Sequence, residues 1–130
     1  SPAEELRMLE YSQRLARERR NVATGVGERS VGRTLWTRAA TGGAQALGRK
    51  CGVIATGYRA DLVVLDVEHP DLIGRTGDTI LDAFLFSGGT MMVKHVGVSG
   101  RWMVRDRVHL REEAISRRFR AMQAALLRIV

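Results

Sequence analysis

Three histidines, one cysteine and two aspartates beside an apolar run are the residues here whose types can carry chemistry. His69, His95 and His109 are widely separated, and no two stand at the short spacing that presents a metal pair. His69 precedes Pro70 in a loop pattern, His95 sits in an apolar strand pattern, and His109 follows a hairpin pattern. Each reads as a structural residue, so no metal ligand is expected in this chain. Cys51 is flanked by Lys50 and Gly52. A catalytic thiol needs an activating neighbour. With only Arg49 and Lys50 beside it, Cys51 reads as a small residue near a turn. A lone cysteine leaves no internal disulfide and fits a reducing cytoplasm. Asp61 and Asp66 bracket Leu62–Leu65 and resemble a catalytic acid pair. The plainer reading is that Asp61 bonds a turn and Asp66 ends a strand. Gly25 and Gly27 lack the spacing and the following Lys-Ser/Thr of a phosphate loop.

Charge and composition narrow the classes. The 130 residues carry a net charge of +7, and only Lys50 and Lys94 are lysines. Basicity suits nucleic-acid binding when charges cluster on one face with aromatic stacking residues. Here the densest groups, Arg17, Arg19 and Arg20, then Arg117, Arg118 and Arg120, fall on solvent-facing helix positions without such aromatics. No nucleic-acid partner is expected; an acidic companion segment would balance the charge. No apolar run approaches the ~20 residues that cross a bilayer, and no signal peptide is visible, so no membrane partner is expected. The chain opens without an initiator Met, which suggests a start inside a longer protein.

The elements that must position these residues follow from periodicity. Ser1, Pro2 and Glu4 form a helix start signal with capping-box spacing. Leu6, Leu9, Tyr11 and Leu15 recur at near-helical spacing, predicting a helix that ends near Asn21. A second helix starts at Ser30 and carries Val31, Leu35, Trp36 and Ala39 inward. It breaks at Gly42-Gly43, with a further turn over Ala44–Leu47 ending at Gly48. Ala60–Asp66 reads as a buried strand, and Thr79–Phe86 as a short helix capped by Asp78 or Thr79 and stopped by Gly88-Gly89. Met91–Ser99 and Trp102–Arg105 form a hairpin. Glu112–Ile129 is an amphipathic helix with Ile115, Phe119, Met122 and Leu126 on one face. So few strands leave open edges, which points to partner strands from elsewhere.

The middle of the chain resembles the C-terminal segment of the amidohydrolase superfamily, which includes cytosine deaminase, guanine deaminase and dihydroorotase. The resemblance is carried by Ala39-Ala40-Thr41-Gly42-Gly43-Ala44-Gln45-Ala46-Leu47-Gly48, Gly52-Val53-Ile54, Gly57-Tyr58-Arg59-Ala60-Asp61-Leu62-Val63-Val64-Leu65-Asp66, Val93–Arg101 and Val104-Arg105-Asp106. Glu5-Leu6-Arg7, Leu9-Glu10-Tyr11, Gln13-Arg14-Leu15, Arg19-Arg20-Asn21 and Arg117-Arg118-Phe119-Arg120 are similar to the formimidoylglutamate deiminase branch.

The resemblance implies an α/β fold: a C-terminal fragment of a (β/α)8 metal-dependent hydrolase barrel plus half of its small β-sandwich. Residues 1–50 would be the last barrel helices, 51–110 the C-terminal half of the composite sandwich, and 111–130 a terminal helix packing back on the barrel. The strand holding Asp61 and Asp66 would then be remote from the barrel mouth.

It also implies a divalent metal, most often zinc, that lowers the pKa of bound water to about 7. The family's ligand histidines have no counterpart here, and its ligand aspartate would be expected a few residues before Ser1. The chain itself is then scaffold without catalytic residues. Glu4, Glu5 and Arg7 are its candidates for closeness to substrate, since such sites lie at the C-terminal ends of barrel strands. The implied partners are the N-terminal barrel portion of the same protein and a second copy in a homodimer. Another deaminase of the superfamily, or a stand-alone dimerising or binding module, are the competing readings.

Overall fold

The computed structural model describes residues 1–128, so the expected end of the last helix at Ile129 lies outside the described residues. Helix α1 spans Pro2–Arg17, with Pro2 in its first turn beside Glu4 and Glu5, and Arg14 and Arg17 in its last turn. This charge order suits the helix dipole. The Ser1 side chain makes no capping bond.

Two expectations for α1 change. The helix stops at Arg17, short of Asn21, because Glu18 turns left-handed at φ 50°. The stripe of Leu9, Leu15 and nearby Met8 faces outward, at 52%, 82% and 60% exposure. The buried face is Ala3 and Glu10, with Leu6 packed against the core. Glu10 explains both changes. Its carboxylate accepts the backbone N–H groups of Val22 and Ala23, each at 2.9 Å, and so folds the chain back over α1.

Helix α2 (Val31–Leu47) is capped as expected by Ser30, whose Oγ accepts the Arg33 N–H. It runs through Gly42-Gly43 without the expected break and ends at Gly48, which is left-handed at φ 61°. Each mid-helix glycine costs only about 1 kcal/mol relative to alanine. The anchored N-terminus of α2 can bear that. Asp82 Oδ1 accepts from Gly32 N–H at 2.7 Å and from Ser30 Oγ at 3.0 Å, and Arg33 pairs with Asp78. Gly32 is required by this docking, since a Cβ there would lie 2.5 Å from the Leu81 backbone.

Helix α3 (Thr79–Ala83) runs into a π-helical turn over Phe84–Gly88 and a 3-10 turn over Gly89–Met92. The Gly89 N–H closes the wide turn on the Phe84 carbonyl. The core gathers around this segment. Val31, Leu35, Leu72, Ala83, Phe84, Leu85 and Met92 are buried, and Trp36 meets Phe84 edge-on at 5.3 Å.

Strands β1 (Leu62–Leu65), β2 (Val93–Val98), β3 (Arg101–Arg105) and β4 (Val108–His109) form one antiparallel sheet in that order. β1 is half-buried rather than buried, with Val63 45% exposed. Its outer edge has no neighbour in this sheet. The β2–β3 hairpin turns through Ser99 and Gly100, both at positive φ. Helix α4 (Glu112–Leu126) has no buried residue. Among the described residues, no helix is long and apolar enough to cross a membrane.

Candidate functional site

The α1 N-terminus holds the three residues singled out as closest to chemistry. Glu4 and Glu5 lie exposed on the first turn. Glu5 borders an apolar groove of about 370 Å³ shared by Pro2, Leu6, Trp36, Ala39 and Ala40. Arg7 is engaged elsewhere: its Nε donates to the Leu85 carbonyl at 2.6 Å. That bond fastens α1 to the π-helical turn. π-helical turns are rare and are frequent at functional sites; in this one the Leu85 carbonyl is taken by Arg7.

Each histidine has a local structural partner. His69 Nδ1 accepts the Asp71 N–H at 3.3 Å, His95 Nδ1 accepts the Asp106 N–H at 3.1 Å, and His109 Nδ1 accepts the Arg111 N–H at 3.2 Å. These ring nitrogens tie turns together. Among the described residues, no three of His, Cys, Asp and Glu cluster at metal-binding distance. The described residues therefore do not fit a metal centre.

The two aspartates sit at opposite ends of β1, roughly 16 Å apart at the usual strand rise, so they are not a paired acid and base. Asp61 Oδ1 accepts the Ser99 N–H at 2.8 Å and the Arg59 Nε–H at 3.0 Å. The Ser99 bond leads in holding the Asp61 carboxyl below the usual carboxylate range, with Arg59 adding to it against partial burial. Asp66 is buried and receives the guanidinium of Arg107, with Lys94 at 3.7 Å and the Glu68 N–H at 3.3 Å. Burial alone would raise its carboxyl; the Glu68 and Arg107 bonds and the charges of Lys94 and Arg107 outweigh it and hold the group low. Asp61 thus latches the β2–β3 turn. Asp66 ends β1 and latches the β3–β4 turn, whose Asp106 and Arg107 are both at positive φ.

Sequence reasoning missed Glu10. Its side chain is 1% exposed, yet it bonds Arg14 at 2.7 Å and both loop N–H groups. The signal was present. Glu10 stands four residues after Leu6, seven after Ala3 and four before Arg14, so it falls on the core face with its cation one turn on. Asp82, the second missed residue, caps α2 from fifty positions away and has no local signature.

The fold and these residues define a class. Residues 12–103 match the amidohydrolase family, and the chain belongs to it. A formimidoylglutamate deiminase of Pseudomonas aeruginosa is 47% identical over 98% of this chain, which spans 28% of that relative's length. An amidohydrolase structure from Brucella melitensis superposes with a TM-score of 0.81 at 39% identity, over 95% of this chain and 27% of that one. An adenosine deaminase structure from Xanthomonas campestris, with bound zinc, gives a TM-score of 0.74 over 97% of this chain and 27% of its own. At 22% identity it speaks for the fold alone.

Proposed function

We propose that this chain is the C-terminal scaffold of a formimidoylglutamate deiminase. The parent enzyme would hydrolyse N-formimidoyl-L-glutamate to N-formyl-L-glutamate and ammonia, a step of histidine breakdown. The observation that carries this reading is the 47% identity, which runs over almost the whole chain rather than one motif. In this reading α1 and α2 are the last barrel helices, and the four-stranded sheet is half of a composite sandwich. The N-terminal portion of the parent supplies the remaining strands against the open edge of β1, and the enzyme is a cytoplasmic homodimer. The metal that the family resemblance implies, most often zinc, is held by residues of that companion portion. Glu4, Glu5 and Arg7 stand nearest the site, with Arg7 acting through the Leu85 carbonyl it holds.

The test is ammonia release by the purified parent polypeptide given N-formimidoyl-L-glutamate, alongside the isolated 130-residue chain. Turnover by the parent and none by the isolated chain is the expected result. A parent that deaminates adenosine-type substrates but not this one moves the reading to another deaminase of the family. Turnover by the isolated chain refutes the scaffold role.

A further inference from the structure

Part of the net charge of +7, to which the proposed function assigns no role, gathers in one place. A cleft of about 330 Å³ is lined by Arg14, Arg29 and Arg75, with Tyr11, Asn21 and Ser87 among its other walls. These residues come from α1, the loop after it, the turn before α3 and the π-helical segment. Every wall is this chain's own, so the cleft needs no companion segment to form.

Two of the three guanidiniums are steadied from within. Arg14 donates its Nε–H to the buried Glu10 carboxylate at 2.7 Å. Its guanidinium carbon lies 5.6 Å from the Tyr11 ring centroid and 5.3 Å from that of Phe86, within cation–π range. Arg75 donates its Nε–H to the Asp71 carbonyl at 2.6 Å. Both bonds use the inner nitrogen, which leaves the terminal nitrogens as donors. Asn21 Oδ1 meets one of these, on Arg14, at 3.5 Å. Arg29 is in no ion pair among the described residues.

Carboxylates do not already fill the site. Among the described residues, Asp82 is the one acid on the cleft wall, and its Oδ1 is taken by the Gly32 N–H and the Ser30 hydroxyl. Glu10 accepts from Arg14 and from the Val22 and Ala23 N–H groups. Three cations against these two carboxylates leave the cleft positive. Like charges held in one cleft repel, and an anion between them offsets that cost. A guanidinium presents paired N–H donors that match carboxylate and phosphate oxygens.

We propose that this cleft binds a small polyvalent oxyanion through the terminal nitrogens of Arg14, Arg29 and Arg75. A phosphate group and a short dicarboxylate share this chemistry, and the experiment tells them apart.

Isothermal titration calorimetry of the 130-residue chain measures inorganic phosphate and malonate separately, at one ionic strength held with chloride. At least one should bind saturably. Phosphate alone assigns a phosphoryl ligand, malonate alone a dicarboxylate, and both a site that reads charge. The paired change Arg29→Ala and Arg75→Ala, at two exposed positions, should weaken that binding about tenfold or more. Removing the same charge from α4 with Arg117→Ala and Arg118→Ala should leave it within about twofold. If the first pair disturbs the circular dichroism spectrum, Arg29→Glu alone carries the same expectation. The parent polypeptide should show the same component of binding that depends on Arg29 and Arg75. No saturable binding of either anion, full affinity without Arg29 and Arg75, an equal loss without Arg117 and Arg118, or absence of that component from the parent would each overturn the proposal. The readout is anion affinity rather than ammonia release, so this proposal and the deiminase reading fail separately.

Discussion

The two halves of this molecule are held together by different means. The helical half, α1, α2 and the α3–Met92 segment, has a core: seven of its residues, Ala3, Val31, Leu35, Ala83, Phe84, Leu85 and Met92, are buried. Its polar links are long-range and aimed at backbone, as with Arg7 to Leu85, Glu10 to Val22 and Ala23, and Asp82 to Gly32. The sheet and α4 have almost no buried apolar side chains. The sheet is ordered instead by its ladders and by two aspartates that pin its turns. A half with its own core can hold its shape by packing; one whose apolar residues point outward depends on its hydrogen bonds. The same contrast underlies the exposure of Val63, Trp102 and Val108 on the sheet and of the α4 stripe.

Mutations can break or sharpen this contrast, and the largest effect is expected in the helical core. Leu85 is 0% exposed, and Leu85→Ala should cost about 2–5 kcal/mol in urea denaturation. A loss below about 1 kcal/mol would mean that this half has no tight core. Glu10→Ala comes next. It strands two loop N–H groups and the Arg14 partner, so a loss of about 2–3 kcal/mol is expected. Hydrogen exchange at Val22 and Ala23 should rise with it.

Gly43→Ala tests the unbroken α2. The site has open space around its absent Cβ, so alanine should stabilise by about 0.5–1 kcal/mol; destabilisation would show that the glycine is needed.

The sheet half should respond to pH rather than to truncation. Asp66 has its folded pKa held below the ordinary value. Its contribution is therefore present above the unfolded carboxylate pKa and is lost as pH falls through the folded value. Acid titration of stability should show this loss below about pH 4, and Asp66→Asn should flatten that limb. An unchanged acid limb in the variant would remove Asp66 from the account. The smallest effect is expected from Phe119→Ala in the isolated chain, within about 0.5 kcal/mol, because the ring packs on no core there.

Much of the plan could be read along the chain. Ser30 capped α2, Gly48 ended it and Gly88-Gly89 closed the α3 segment, while the hairpin turned at Ser99-Gly100, one residue before the expected Gly100-Arg101. These are local events, fixed by side chains within a few positions. The break at Gly42-Gly43 did not occur, because glycine's local cost was outweighed by the anchored helix start. The outward face of α1 was misjudged for a related reason. Periodicity shows that a stripe exists but not which partner is available to cover it. The candidate site was legible only as positions: Glu4, Glu5 and Arg7 could be placed at the helix start, whereas the engagement of Arg7 with a carbonyl 78 positions away has no trace in local pattern.

By itself, then, the sequence determined the element order, the main caps and turns, and the absence of a histidine pair at ligand spacing. It also carried the motifs of the amidohydrolase family. Tertiary structure alone decided that Glu10 is a buried anchor, that Asp82 caps a helix distant in sequence, and that Asp61 and Asp66 are two separate latches. The physical reason is that a buried charge or a backbone carbonyl is satisfied by whichever group the fold brings near, and that choice is made across the chain.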